Sequence, residues 1–313
     1  MAEVTTGIAA ETSPAGAVRS PVVVAVLMML MAGFTSSLLH LGVRYVSPYL
    51  PTIEIVALRS IFTILVTLPF MWQAPAGAWR TNNWPLQLMR GAVGVTSMTA
   101  WYYALGQMPL ADAGALSFTT GIFVTIGAAL YFGEPVGPRR WAAVAFGLLG
   151  AVIVLRPGQG VLSWAAIAAV SSSALWAVSL LAAKELGRHD SALTVTFYQP
   201  LIIAPVAILG TVPVWVMPQP KVWLALMGMG IAAAIGNYGY VRAMRLADAS
   251  ITVPVDYARL LWMVGWGYIL FAEVPDLATW LGSALIIGSA LFITIREQQL
   301  ATRGGPGRRA KPA

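Results

Sequence analysis

The chain has 313 residues, 58% of them hydrophobic and only 10% charged, with a mean hydropathy of +0.75, a net charge of +7 and no cysteine. Soluble domains carry about 25% charged residues, so this composition excludes a fold that covers itself with polar surface, and it excludes disulfides, thiolate metal sites and cysteine nucleophiles. The positive charge is no nucleic-acid footprint, because the basic residues flank apolar runs or sit in a C-terminal tail.

Residues 1–20 are rich in Ala, Thr, Gly and Ser and are expected to form a mobile N-terminal tail. The apolar run from Val22 to Val43 outlasts the h-region of a signal peptide and reads as a first membrane span. Further runs follow at 53–72, 87–107, 111–132, 139–155, 162–183, 193–212, 222–241, 250–271 and 278–295, ten in all. The breaks between them are short and hold punctuation residues: Pro48 and Pro51, Pro75 and Gly77, Gly137 and Pro138, Pro157 with Gly158 and Gly160, then Pro213, Pro218 and Pro220. Residues 297–313 read as a basic C-terminal tail near anionic lipid.

One pattern occurs twice. Trp101–Tyr102–Tyr103, Leu110–Ala111–Asp112–Ala113, Phe132–Gly133–Glu134–Pro135 and Trp141 are answered by Asn237–Tyr238, Leu246–Ala247–Asp248–Ala249, Phe271–Ala272–Glu273–Val274–Pro275 and Trp280. The offset is 136 residues at the Leu-Ala-Asp-Ala step, 139 at the Glu, and 140 upstream, where Phe34 to Arg44 matches Ala174 to Lys184. The spacing divides the chain into a first repeat over 21–156 and a second over 157–296, each with five spans. An odd number of spans per repeat forces the second copy to enter the membrane from the opposite side. The expected fold is therefore an all-α membrane protein of ten transmembrane helices in two inverted five-helix repeats, with Glu134 and Glu273 at opposite faces. With the N-terminus inside, fourteen Lys and Arg fall in inner segments and only Arg44, Arg156 and Lys221 in outer ones, which places both termini in the cytoplasm of a multi-pass inner-membrane protein.

These repeated motifs resemble the drug/metabolite transporter superfamily in its EamA-domain branch of ten-helix carriers. The segments Asp256–Tyr257–Ala258–Arg259–Leu260–Leu261–Trp262 and Phe271–Ala272–Glu273–Val274–Pro275–Asp276 are similar to a subgroup that includes bacterial riboflavin and S-adenosylmethionine carriers. The resemblance covers residues 22–296. It implies a pathway lined by spans 1, 3, 4 and 6 with the two halves mixed, and spans 5 and 10 at the back. Ala272 stands where that family usually has Gly, a change small in size.

Charge inside the membrane is costly and normally faces a cavity or a partner. Asp256 and Arg259 are three residues apart and share a helix face. Pro254 frees the carbonyl of Ser250 beside them, giving a hinge or site wall, or else a pair that only neutralises itself. Arg59 lies inside span 2, about 140° around the helix from Glu54, and needs another partner. Its repeat counterpart is Gln199. The candidate substrate-binding residues are thus Arg59, Tyr102, Tyr238, Asp256, Arg259 and Trp262, with the rings suited to stacking on a flat solute. His40 and Asp256 are the candidates for a proton relay. Ala143-xxx-Gly147-xxx-Ala151, Gly230-xxx-Ala234 and Ala284-xxx-Gly288 are packing seams, within the bundle or at a homodimer face. No metal, cofactor or catalytic group is expected: Gly228-x-Gly230-x-x-Ala233 imitates a dinucleotide fingerprint inside an apolar span and lacks the preceding strand. The reading is a secondary transporter of a small organic metabolite (riboflavin, S-adenosylmethionine or an amino-acid-like solute) with a non-transporting sensor or assembly partner as the alternative.

Overall fold

A computed structural model describes residues 21–131, 138–155, 163–187, 189–246, 252 and 255–303. Glu134, Ser250, Pro254 and most of both tails lie outside the described residues, as does the repeat motif at 247–249. The described residues are helical: α1 Pro21–Val46, α2 Thr52–Trp72, α3 Trp84–Gln107, α4 Leu110–Ser117, α5 Thr119–Tyr131, α6 Pro138–Leu155, α7 Trp164–Leu186, α8 Ala192–Thr211, α9 Pro220–Leu246, α10 Ala258–Phe271 and α11 Leu277–Arg303. A single 3-10 turn, Ala76–Trp79, sits between α2 and α3.

The starts follow the local chemistry. Asn83, Ser163 and Ser191 each place a side-chain oxygen on an amide of the first turn of α3, α7 and α8. Six helices are long and apolar enough to cross a bilayer, with α4 and α5 counting as one length from Leu110 to Tyr131. Shorter apolar helices occupy Trp141–Leu155, Ala258–Phe271 and Leu277–Ser289. With the 24-residue α3, whose apolarity is diluted by Gln87 and Arg90, they correspond to the ten expected spans.

Three expectations are revised. Span 4 is interrupted by a one-residue turn at Phe118, and span 9, helical at Thr252, Val255 and Asp256, is interrupted by a one-residue turn at Tyr257 before α10. At the far end α11 runs to Arg303, well into the stretch read as a tail, because Glu297, Gln298, Gln299 and Leu300 are good helix formers.

The packing has a two-fold logic. The most extensive helix contacts are α1 on α9, α3 on α7, α6 on α11 and α2 on α8. Exchanging the repeats turns α1 into α7 and α9 into α3, so the first two pairs are one contact made twice. The last two pair a helix with its own counterpart, and both run antiparallel. A Cβ on Gly150 would lie 2.8 Å from the Gly282 carbonyl and one on Gly147 would lie 2.5 Å from Ser289 Oγ, while Ile53 faces Gly210 near the start of α2 and the end of α8. Antiparallel contact between counterparts is what an axis lying in the membrane plane produces. The glycine-to-backbone approach at Gly150 and Gly282 is the close packing that lipid-embedded helices need, since lipid offers no hydrophobic drive between them.

Candidate functional site

The one-residue turns in spans 4 and 9 occupy matched places. Phe118 and Tyr257 are repeat counterparts at the offset of the Glu, and both hold right-handed backbone angles, φ −73 and ψ −12 against φ −65 and ψ −19. Each makes the same tight turn: Gly121 N–H donates to the Phe118 carbonyl at 3.2 Å, and Leu260 N–H to the Tyr257 carbonyl at 3.0 Å. Their rings meet edge to face at 4.8 Å. The pseudo-two-fold axis therefore passes near this aromatic pair.

The membrane charges gather around it. Arg259 pairs with Asp256 at 3.8 Å, lies 5.1 Å over the Phe118 ring and donates to Ser117 Oγ at 3.4 Å. Ser117 is the repeat counterpart of Asp256, so the arginine bridges the two breaks. Gly33 on α1 admits it: a Cβ there would stand 3.5 Å from Arg259 Cβ. One helical turn along α10, Trp262 meets Phe34 of α1 edge to face at 5.2 Å, and Trp266 donates its indole N–H to Ser37 Oγ at 3.0 Å.

A second group joins from α1, α2 and α3. His40 packs edge-on against Trp101 at 5.4 Å and lies within electrostatic reach of both Arg59 and Arg259. Arg59 is buried, 8% exposed, and donates one Nη1 hydrogen to Met98 Sδ at 3.2 Å. Tyr102 is buried within reach of the Arg59 charge. Thus Arg59, Tyr102, Asp256, Arg259 and His40 converge on one region between spans 1, 2, 3, 4 and 9, and Trp262, 41% exposed, stands at its edge against Phe34. Spans 2 and 9 enter it beyond the set the resemblance implied, while α6 and α11 pack on each other as its back wall. Tyr238 does not join: it is 64% exposed on the outer face of α9. Tyr240, two residues on, reaches the Asp256 and Arg259 charges instead. The repeat pattern matched Tyr102 to Tyr238 by offset, and the offset drifts from 140 upstream to 136 at this motif, so it does not fix which face of the helix a side chain takes.

The end of the bundle holding Glu273 is closed by a latch that the sequence did not reveal. Arg44 bonds Glu273 at 3.1 Å and donates to the Leu105 and Gly106 carbonyls at 3.3 and 2.6 Å. Glu273 also accepts the Leu110 amide at 2.9 Å, so one carboxylate caps the N-terminus of α4 while its arginine caps the C-terminus of α3. Asp112 of the repeated motif bonds Thr279 Oγ1 beside it. Away from the centre, Arg90 is a structural tie rather than a loop cation. It donates to the Ser179 and Val195 carbonyls at 3.3 and 2.8 Å and to Gln199 Oε1 at 2.8 Å. Gln199, the counterpart of Arg59, is thereby spent on packing. Two shallow grooves, along Val95, Thr99 and Tyr103 and along Phe146, Ala284 and Gly288, lie on the exterior, apart from the charged centre. Among the described residues no cluster of three or more His, Asp or Glu stands ready for a metal ion.

A model of the EamA-like transporter family matches residues 23–156 and 163–295, one copy in each half. A riboflavin transporter of Vibrio cholerae is 33% identical over 282 residues, covering 88% of this chain and 95% of that protein. An S-adenosylmethionine uptake transporter of Rickettsia felis is 25% identical over 260 residues, covering 83% of this chain and 88% of its own. A solved crystal structure superposes with a TM-score of 0.64 at 21% identity, over 88% of this chain and 97% of that one, which speaks for the fold alone.

Proposed function

Because the chain belongs to the EamA-like transporter family, we propose that it is a secondary carrier whose solute, riboflavin or a close chemical relative, binds between the broken spans and crosses by alternating access. The observation that carries this reading is the meeting of two matched helix breaks at Phe118 and Tyr257 beside an intramembrane arginine. Inverted-repeat carriers bind their solutes at the repeat interface near mid-membrane. Arg59 and Arg259 hold carbonyl or anionic groups of the solute, Tyr102 and Trp262 line its flat faces, and Asp256 keeps Arg259 aimed. His40 and Asp256 are the groups placed to pass a proton. Both termini lie in the cytoplasm, so the Arg44–Glu273 latch is the outer closure and the described geometry has that side shut. The chain itself performs no covalent chemistry, and a gradient sets the direction of flux.

Counterflow tests this. Purified protein in liposomes preloaded with unlabelled riboflavin is predicted to draw in labelled riboflavin, whereas protein-free liposomes do not. Folded, reconstituted protein that shows no such exchange contradicts the riboflavin reading.

A further inference from the structure

The central group has more donors than acceptors. Among the described residues, Arg59 Nε and Arg259 Nε are buried donors without a hydrogen-bond partner, and His40 Nδ1, a donor or an acceptor by tautomer, is buried without one beside them. Arg59 has only the thioether of Met98, a weak acceptor, at 3.2 Å. Buried guanidinium N–H groups left unpaired are costly, so a ligand that brings acceptors to them relieves a standing penalty.

The charges point the same way. Arg259 has a carboxylate partner, Asp256, at 3.8 Å, whereas Arg59 has no ion-pair partner among the described residues. Other described carboxylates have partners away from these arginines: Glu54 accepts the Val216 amide through one oxygen while its other oxygen is buried without a partner among the described residues, Glu273 binds Arg44 and Leu110, Asp190 binds Asn82 and Thr81, and Asp112 binds Thr279. Among the described residues the centre thus carries an excess positive charge in a medium where charges interact strongly. The rings of Trp101, Phe118 and Tyr257 stand beside these donors.

We infer that this centre selects a flat solute that presents adjacent hydrogen-bond acceptors and carries no net positive charge, and that it turns cations away. The inference rests on the carrier reading and narrows it. A ring with two carbonyls flanking an N–H, or a ring bearing an acidic group, gives Arg59 and Arg259 acceptors to share. A sulfonium or ammonium solute meets two arginines and gains no acceptor. The relatives include carriers named for riboflavin and for S-adenosylmethionine, and the excess of donors places this chain with the former kind.

The test offers proteoliposomes an equimolar mixture of neutral riboflavin, anionic flavin mononucleotide and cationic S-adenosylmethionine, and measures the uptake of each. Uptake of either flavin with S-adenosylmethionine excluded is the expected result. S-adenosylmethionine entering as fast as the flavins, or faster, overturns the inference while the carrier reading stands. Uptake of none overturns the flavin-carrier reading and the inference with it. Variants locate the effect. In protein that stays monodisperse with an unchanged melting temperature, Arg59→Gln is expected to lower flavin uptake about ten-fold, with Arg59→Lys falling between it and the parent. Unchanged flavin uptake in Arg59→Gln overturns the role given to this arginine.

Discussion

Ala272 is the one described non-glycine residue with a positive φ, at 53°, and it ends α10 just before Glu273. A left-handed residue with a Cβ costs about 1–2 kcal/mol, and glycine removes that cost. The glycine that the resemblance implies at this place would relieve the backbone, a reason that residue size alone does not reveal. Ala272→Gly is predicted to raise stability by about 1 kcal/mol, read as a higher melting temperature in detergent; a lower one would count against the geometry. Arg90 gives the opposite case. Removing it takes the donor from Gln199 Oε1 and a second donor from the Ser179 and Val195 carbonyls, and unties α3 from α7 and α8, so Arg90→Met is predicted to cost about 2 kcal/mol. That loss appears as reduced folded yield, with solute affinity unchanged in whatever protein survives. At this scale the sequence told much about Arg59, Asp256 and Arg259, because charge in an apolar run is conspicuous. It told little about Arg90, one of the fourteen basic residues counted to inner segments, and it misplaced Tyr238, since an aromatic in an apolar helix does not declare which side it faces.

Helix breaks and latches act at the level of elements. The apolar runs located spans 4 and 9, but hydropathy has no term for a tight turn flanked by αR residues, so their interruptions at Phe118 and Tyr257 were invisible. Pro254 hinted at one of them, and its own placement lies outside the described residues. The latch of Arg44, Glu273 and the Leu110 amide joins α1, α3, α4 and the end of α10. If it is the closure of one face, it must part during each cycle. The natural lack of cysteine allows a clean trial. Arg44→Cys with Glu273→Cys, bridged by a cleavable thiol cross-linker, is predicted to stop flux and to regain it on cleavage. Full flux through the cross-linked protein would show that the latch is not the closure of this face. Truncation of the Phe118 ring bears on the breaks: Phe118→Ala is expected to slow counterflow several-fold while the protein still folds, because Arg259 loses the ring it rests on.

For the molecule as a whole, the exchange of repeats explains the helix pairing. α1 on α9 mirrors α7 on α3, and α2 on α8 and α6 on α11 cross the axis itself. Such an arrangement can open either end by nearly equivalent motions. This level was the most legible in the sequence. Composition demanded lipid, ten apolar runs gave the spans, and a doubled motif with five spans per copy required inversion. Side-chain geometry at the centre depends on how helices from both copies turn toward one another, and no single repeat contains that information. The most direct test of the inverted design uses single cysteines at Glu134 and at Val274, the latter next to Glu273 and 75% exposed, probed with a membrane-impermeant thiol reagent in intact cells and in inverted vesicles. The account predicts labelling of Val274→Cys from the outside and of Glu134→Cys from the inside, and labelling of both from the same side would contradict it.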